Sequence, residues 1–148
     1  MMRKGLRGHS NRLLCAGYSA LLAAVLLMMS VPVFGQSRVI EILADKDSHF
    51  KVPGQGRAEI VVKAGEPLLL RIEAHKGKTW NRDGAVHGFT MVRAKDRVKV
   101  PGWDLELRPG IQEFKLIAPS EPGQYEVVCT VICSGDHDGM HMKVIVLP

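Results

Sequence analysis

Gly and Pro, including the Pro-Gly dipeptides at 53–54, 101–102, 109–110 and 122–123, stand between most of the short apolar runs of the chain after residue 38. No segment sustains a helical period over three turns. The runs between the breaks are β-branched and short: 39–43 (VIEIL), 58–63 (AEIVVK), 67–74 (PLLLRIEA), 87–93, 97–100, 112–118, 124–129 and 142–147. In 67–74, Leu68, Leu70 and Ile72 alternate with Leu69, Arg71 and Glu73, which predicts a strand with one better-buried face. About seven short strands with turn signals every 8–12 residues predict an all-β, antiparallel β-sandwich. The polar stretch 76–85 (KGKTWNRDGA) reads as a surface loop. Trp80 and Trp103 read as packing or loop-anchoring residues rather than stacking platforms.

The beginning of the chain follows different rules. Arg3, Lys4, Arg7 and Arg12 come with no acid, and an apolar run from Leu13 to Phe34 follows. That order, with Val33 and Gly35 before Gln36, predicts a secretory signal over residues 1–35, cleaved after Gly35. The run is also long enough for an uncleaved anchor, since about 20 residues span a bilayer, so membrane contact through residues 13–34 is the alternative. Both readings put residues 36–148 across the membrane as one domain, periplasmic or on the outer face of the cytoplasmic membrane. The whole chain has 20 Lys+Arg and 15 Asp+Glu. Removing the leader leaves 16 basic residues against 15 acidic, so the positive balance belongs to the leader and gives no reason to expect nucleic-acid binding.

Two cysteines remain after the leader, and both lie in one stretch near the C-terminus: Cys129-Thr-Val-Ile-Cys133-Ser-Gly-Asp-His137-Asp-Gly-Met140-His141-Met142. In an exported domain a cysteine pair is usually a disulfide, a lone loop histidine is usually solvated, and a methionine is usually core. A disulfide, however, accounts for neither His137 nor Met140. Thiolate, thioether and imidazole together are the donor set that selects copper, whereas zinc takes four N/S ligands without methionine. If both sulfurs serve one site, residues 129–133 cannot be extended throughout. They must form a ligand loop after the strand that ends near Val128. Asp136 and Asp138 read as solvated loop acids.

The spacing Cys-x3-Cys-x3-His-x2-Met resembles the CuA signature of cytochrome c oxidase subunit II and of the C-terminal domain of nitrous oxide reductase. Ala85-Val86-His87-Gly88-Phe89 resembles the upstream histidine element of that family. The resemblance spans roughly residues 63–146 and implies a cupredoxin-like Greek-key β-sandwich holding two copper ions. It implies that Cys129 and Cys133 bridge both coppers, that His87 and His137 each bind one, and that Met140 is a weak thioether ligand. The remaining ligand would be the main-chain carbonyl of Val131, where oxidases commonly carry Glu. Two features depart from the oxidase pattern. The chain has one apolar segment instead of a pair of membrane helices, and no aromatic cytochrome-docking patch is recognisable.

The implied role is electron transfer with a redox partner protein, such as a cytochrome or an oxidase subunit, feeding a terminal oxidase or periplasmic reductase. A copper-handling protein is a second reading, kept open by His75, His141 and Met142, although His75 at a strand end and Met142 in the last strand suit structural roles. A mononuclear blue copper site on His87, Cys133, His137 and Met140 is a third, and it leaves Cys129 idle. No nucleophile–base pair or paired acids stand in an arrangement that suggests a stand-alone enzyme.

Overall fold

The structure is a computed structural model that describes residues 37–77, 83–135 and 137–148, with His137 described by its backbone. The expected leader, Trp80 and Asp136 lie outside the described residues. Among the described residues the strands are β1 (Arg38–Ala44), β2 (Phe50–Lys51), β3 (Glu59–Lys63), β4 (Pro67–Ala74), β5 (His87–Arg93), β6 (Lys99–Leu107), β7 (Gly110–Ile117), β8 (Gly123–Val128) and β9 (His141–Leu147). The one helical piece among them is a 3-10 turn at His137–Gly139.

The strands form two sheets, ordered β2-β1-β4-β7 and β3-β9-β8-β5-β6. In β4 the alternation read from sequence holds: Leu68, Leu70 and Ile72 are buried, while Arg71 and Glu73 are exposed. These side chains and Ile42 make one wall of the core. Ile60, Val62, Phe89, Met91, Val127, Met142, Val144 and Val146 make the other. Each full burial of such a side chain stabilises by about 1.5–3 kcal/mol. Phe50 and Phe89 meet edge to face across the sheets, with ring centroids 5.3 Å apart. Trp103 is buried, and its indole N–H donates to the Ile117 carbonyl at 2.9 Å, tying β6 to β7 as an anchor.

The all-β sandwich is as expected, but its sheets are mixed rather than purely antiparallel. β1 pairs β4 in parallel and β3 pairs β9 in parallel, while the other pairings are antiparallel. The reason is connection length. A tight hairpin forces antiparallel pairing, but between β1 and β4 the chain visits the other sheet as β3, and such an excursion is long enough for a parallel return. Two details of the strand reading also change. The two-residue β2 is too short for a periodic signal. Pro101-Gly102, which reads as a strand-ending turn, lies inside β6. There Thr90 of β5 faces Asp104 while Val92 faces Lys99, so the intervening residues bulge out, with Gly102 at φ 80°. Strand β6 is a sheet edge, where the missing Pro101 N–H is tolerated.

Strand β5 is buried along nearly its whole length. Its core face carries Phe89 and Met91. Its other face, with Gly88 and Thr90, is covered by the loop that follows β8. That arrangement brings the start of β5 to the end of β8, where the candidate site lies.

Candidate metal centre

The loop from Cys129 to Met140 is closed at its base by the sheet. Val128 pairs with His141 in the β8–β9 ladder, and one step further the Cys129 N–H donates to the Met140 carbonyl at 3.1 Å. The backbone therefore holds the first and last sulfur-bearing residues of the loop next to each other. Met140 is fully buried, and its Sδ lies 4.0 Å from the Cys133 Sγ.

Both thiols are buried and free, with their sulfurs 3.6 Å apart. The Cys129 S–H donates to the Val131 carbonyl at 3.1 Å, and the Gly88 N–H donates to the Cys129 sulfur at 3.3 Å. Burial pushes the Cys129 thiol up to about 11, against the favourable Gly88 amide. In the metal-free protein this residue is a thiol, and a cation entering the site must displace its proton.

His87 arrives from the first position of β5 and is fully buried. Its Nε2 is 2.9 Å from the carbonyl of His75, just past the end of β4. A carbonyl only accepts, so Nε2 carries the proton and Nδ1 carries the lone pair. That Nδ1 is buried and has no hydrogen-bond partner among the described residues. Desolvation holds the imidazole below its usual pKa range, outweighing the His75 carbonyl and the nearby Asp45 charge, so the ring is neutral at pH 7. A ligand nitrogen of His87 and the two cysteine sulfurs all lie within 4.8 Å of one another.

Of the residues read from sequence, the structure gathers His87, Cys129, Cys133, Met140 and the Val131 carbonyl at one end of the sandwich. His137 sits in the 3-10 turn just before Met140, and its side chain lies outside the described residues. His75 serves through its main chain, its ring being paired with Glu73 at 2.8 Å on the surface. Met142 is core, and His141 is exposed. Asp138 is exposed, as expected of a loop acid.

Sequence reasoning missed three contributors. Ser48, in the β1–β2 turn, is buried at φ 61°, with its hydroxyl 3.5 Å from the Cys133 sulfur and 2.7 Å from the Ser134 hydroxyl. Asp45 holds that turn by accepting from the Asp47 and His49 amides, at 3.0 and 2.9 Å, and by an ion pair with Lys51. Thr130, inside the loop, bonds Thr90 of β5 at 3.0 Å. Ser48 is 85 residues from Cys133 in sequence, so no local pattern could have signalled the pairing.

A buried histidine with an orphaned ring nitrogen, beside two thiols of which one lies 4.0 Å from a thioether, is a donor set suited to a soft, thiophilic metal such as copper. No protein-family model matches the sequence, and no curated protein matches it. Solved structures do match. One is reduced auracyanin from the photosynthetic bacterium Roseiflexus castenholzii, 18% identical, covering 77% of this chain and 100% of that one at a TM-score of 0.50. Another is a heme-copper terminal oxidase dimer, 19% identical, covering 90% and 91% at 0.50. A third is a methionine-to-leucine variant of rusticyanin, 16% identical, covering 76% and 77% at 0.52. With the two-sheet topology, these likenesses establish that the described chain has the cupredoxin fold.

Proposed function

We propose that this protein is an exported copper electron carrier whose centre is of the binuclear CuA type. The observation that carries the reading is the pair of free, buried thiols 3.6 Å apart with the His87 imidazole beside both. A mononuclear blue copper site uses one thiolate with two imidazoles and a thioether, and leaves the second thiol idle. In this reading Cys129 and Cys133 would hold the two coppers as thiolates, His87 and His137 would each bind one, and the Met140 thioether and Val131 carbonyl would complete the set. Bound copper supplies a one-electron couple shared over two metals, so little rearrangement accompanies each transfer.

The chain's own part is to fix the ligands in advance. Met140 and Cys129 are tied at the loop base, His87 is oriented by the His75 carbonyl, and Gly88 donates to the Cys129 sulfur. The site is closed and buried, which suits retention of the metal rather than its delivery. The partner is a redox protein such as a cytochrome or an oxidase subunit, met on the periplasmic side or outer face of the membrane to which residues 1–35 direct the chain.

One observation favours a mononuclear blue site as the second reading. Burial raises the Cys129 pKa and its S–H is bonded to the Val131 carbonyl, while the Cys133 sulfur stands 4.0 Å from the Met140 thioether. Electron transfer is separated from copper handling by two parallel rates on the copper-loaded protein. Rapid, reversible reduction and reoxidation by small periplasmic cytochromes, with copper retained, supports the carrier. Ready copper loss to an apo-acceptor with sluggish redox would overturn it.

A further inference from the structure

Thr90 is a buried polar residue of β5 flanked by the buried apolar side chains Phe89, Met91 and Val92. Its hydroxyl is satisfied in a directed way. Asp104 accepts, so Thr90 donates to Asp104 Oδ1 at 2.5 Å, and its one proton is used there. Thr130, 3.0 Å away, must then donate to Thr90. The second carboxylate oxygen of Asp104 is held by Lys99 at 2.8 Å. The chain of bonds thus runs from the middle of the Cys129–Cys133 loop, through the sheet, to a half-exposed ion pair on β6. Lys99 and Asp104 stand side by side only because of the bulge that carries Pro101-Gly102. Bulges re-aim side chains in this manner. On the same face, Gly88 leaves just enough room for the Thr130 backbone. A Cβ there would lie 2.7 Å from the Thr130 nitrogen.

We infer that Thr130, Thr90, Asp104 and Lys99 form a positioning chain that clamps the first half of the metal loop onto β5. It fixes the Val131 carbonyl and the Cys129 sulfur relative to Gly88. None of the four touches the metal in the proposed site, so they act through the loop. The inference rests on the copper reading for its copper readouts alone, because the clamp exists in the metal-free protein.

The test compares Thr90→Val, which keeps the shape and removes the hydroxyl, with Thr90→Ser, which keeps the hydroxyl. In the metal-free protein, hydrogen exchange of the Gly88 and Cys129 amides should quicken by about fivefold in Thr90→Val, the factor expected for one lost hydrogen bond. Val127 and Val144 in the central strands should keep their protection, and Thr90→Ser should restore the wild-type rates. With copper bound, the absorption envelope should shift in Thr90→Val and return in Thr90→Ser. Asp104→Ala, at the exposed end, provides the same exchange test should Thr90→Val fail to fold. Unchanged exchange at Gly88 and Cys129 in a folded Thr90→Val or Asp104→Ala protein overturns the inference, as does failure of Thr90→Ser to restore it. A wild-type protein that binds no copper would sink the copper reading while leaving the exchange result to decide the clamp.

Discussion

Gly88 donates its backbone N–H to the Cys129 sulfur at 3.3 Å, across 41 residues of sequence, from the position next to the buried His87. One strand start thus supplies an imidazole and a hydrogen bond to the same centre. The bond stabilises developing negative charge on Cys129 while burial opposes it, so the thiolate forms when a cation arrives.

Gly88→Ala is expected to displace the loop. The added methyl would meet the Thr130 and Val131 nitrogens at 2.7 and 3.1 Å, and backbone atoms cannot turn aside. Overpacking of this kind costs about 1–3 kcal/mol. Urea unfolding of the metal-free protein should show that loss, and copper titration should show weakened binding. Wild-type behaviour in both would mean the loop is free to move.

Ser48→Ala removes a hydroxyl that contacts both the Cys133 sulfur and the Ser134 hydroxyl. In the proposed centre a Cys133 thiolate can only accept, so the Ser48 hydroxyl would donate to it, drawing electron density from the metal and favouring the reduced form. Its loss is expected to lower the reduction potential, with a stability cost of about 1 kcal/mol. Protein-film voltammetry reads the direction, and an unchanged or raised potential would contradict this role.

Asp45 links pH to stability at the same turn. Desolvation raises its pKa, but bonds from Lys51, His49 and Asp47 outweigh it and leave the carboxyl below its ordinary value of 3.8. Its folded pKa is depressed, so its stabilisation is present above the unfolded pKa, about 3.9, and is lost as pH falls through the folded value. In the metal-free protein, the unfolding free energy of wild type should exceed that of Asp45→Asn at pH 6. The gap should close progressively below about pH 4. A gap that stays constant down to pH 2.5 would show that Asp45 is not the linked group.

The parts legible in the sequence are those set by local pattern. β4 could be read because Leu68, Leu70 and Ile72 alternate, and the loop because its sulfur and imidazole residues lie within 14 positions. Tertiary approach is what escaped. Ser48 reaches Cys133 only after β1 and β2 fold back beside β4, and the His75 carbonyl matters only because β5 starts opposite the end of β4. Pro101-Gly102 has turn composition yet forms a bulge, since an edge strand tolerates both residues. Its consequence, the pairing of Lys99 with Asp104, depends on register and not on composition.

Copper stoichiometry and the electron paramagnetic resonance spectrum of the purified protein, measured for wild type and Cys129→Ser, test the central claim most directly. Two coppers per chain are expected in wild type, with one unpaired electron shared between them. Cys129→Ser should leave a single-copper spectrum or none. One copper per chain with an isolated Cu(II) signal that Cys129→Ser leaves unaltered would contradict the binuclear centre.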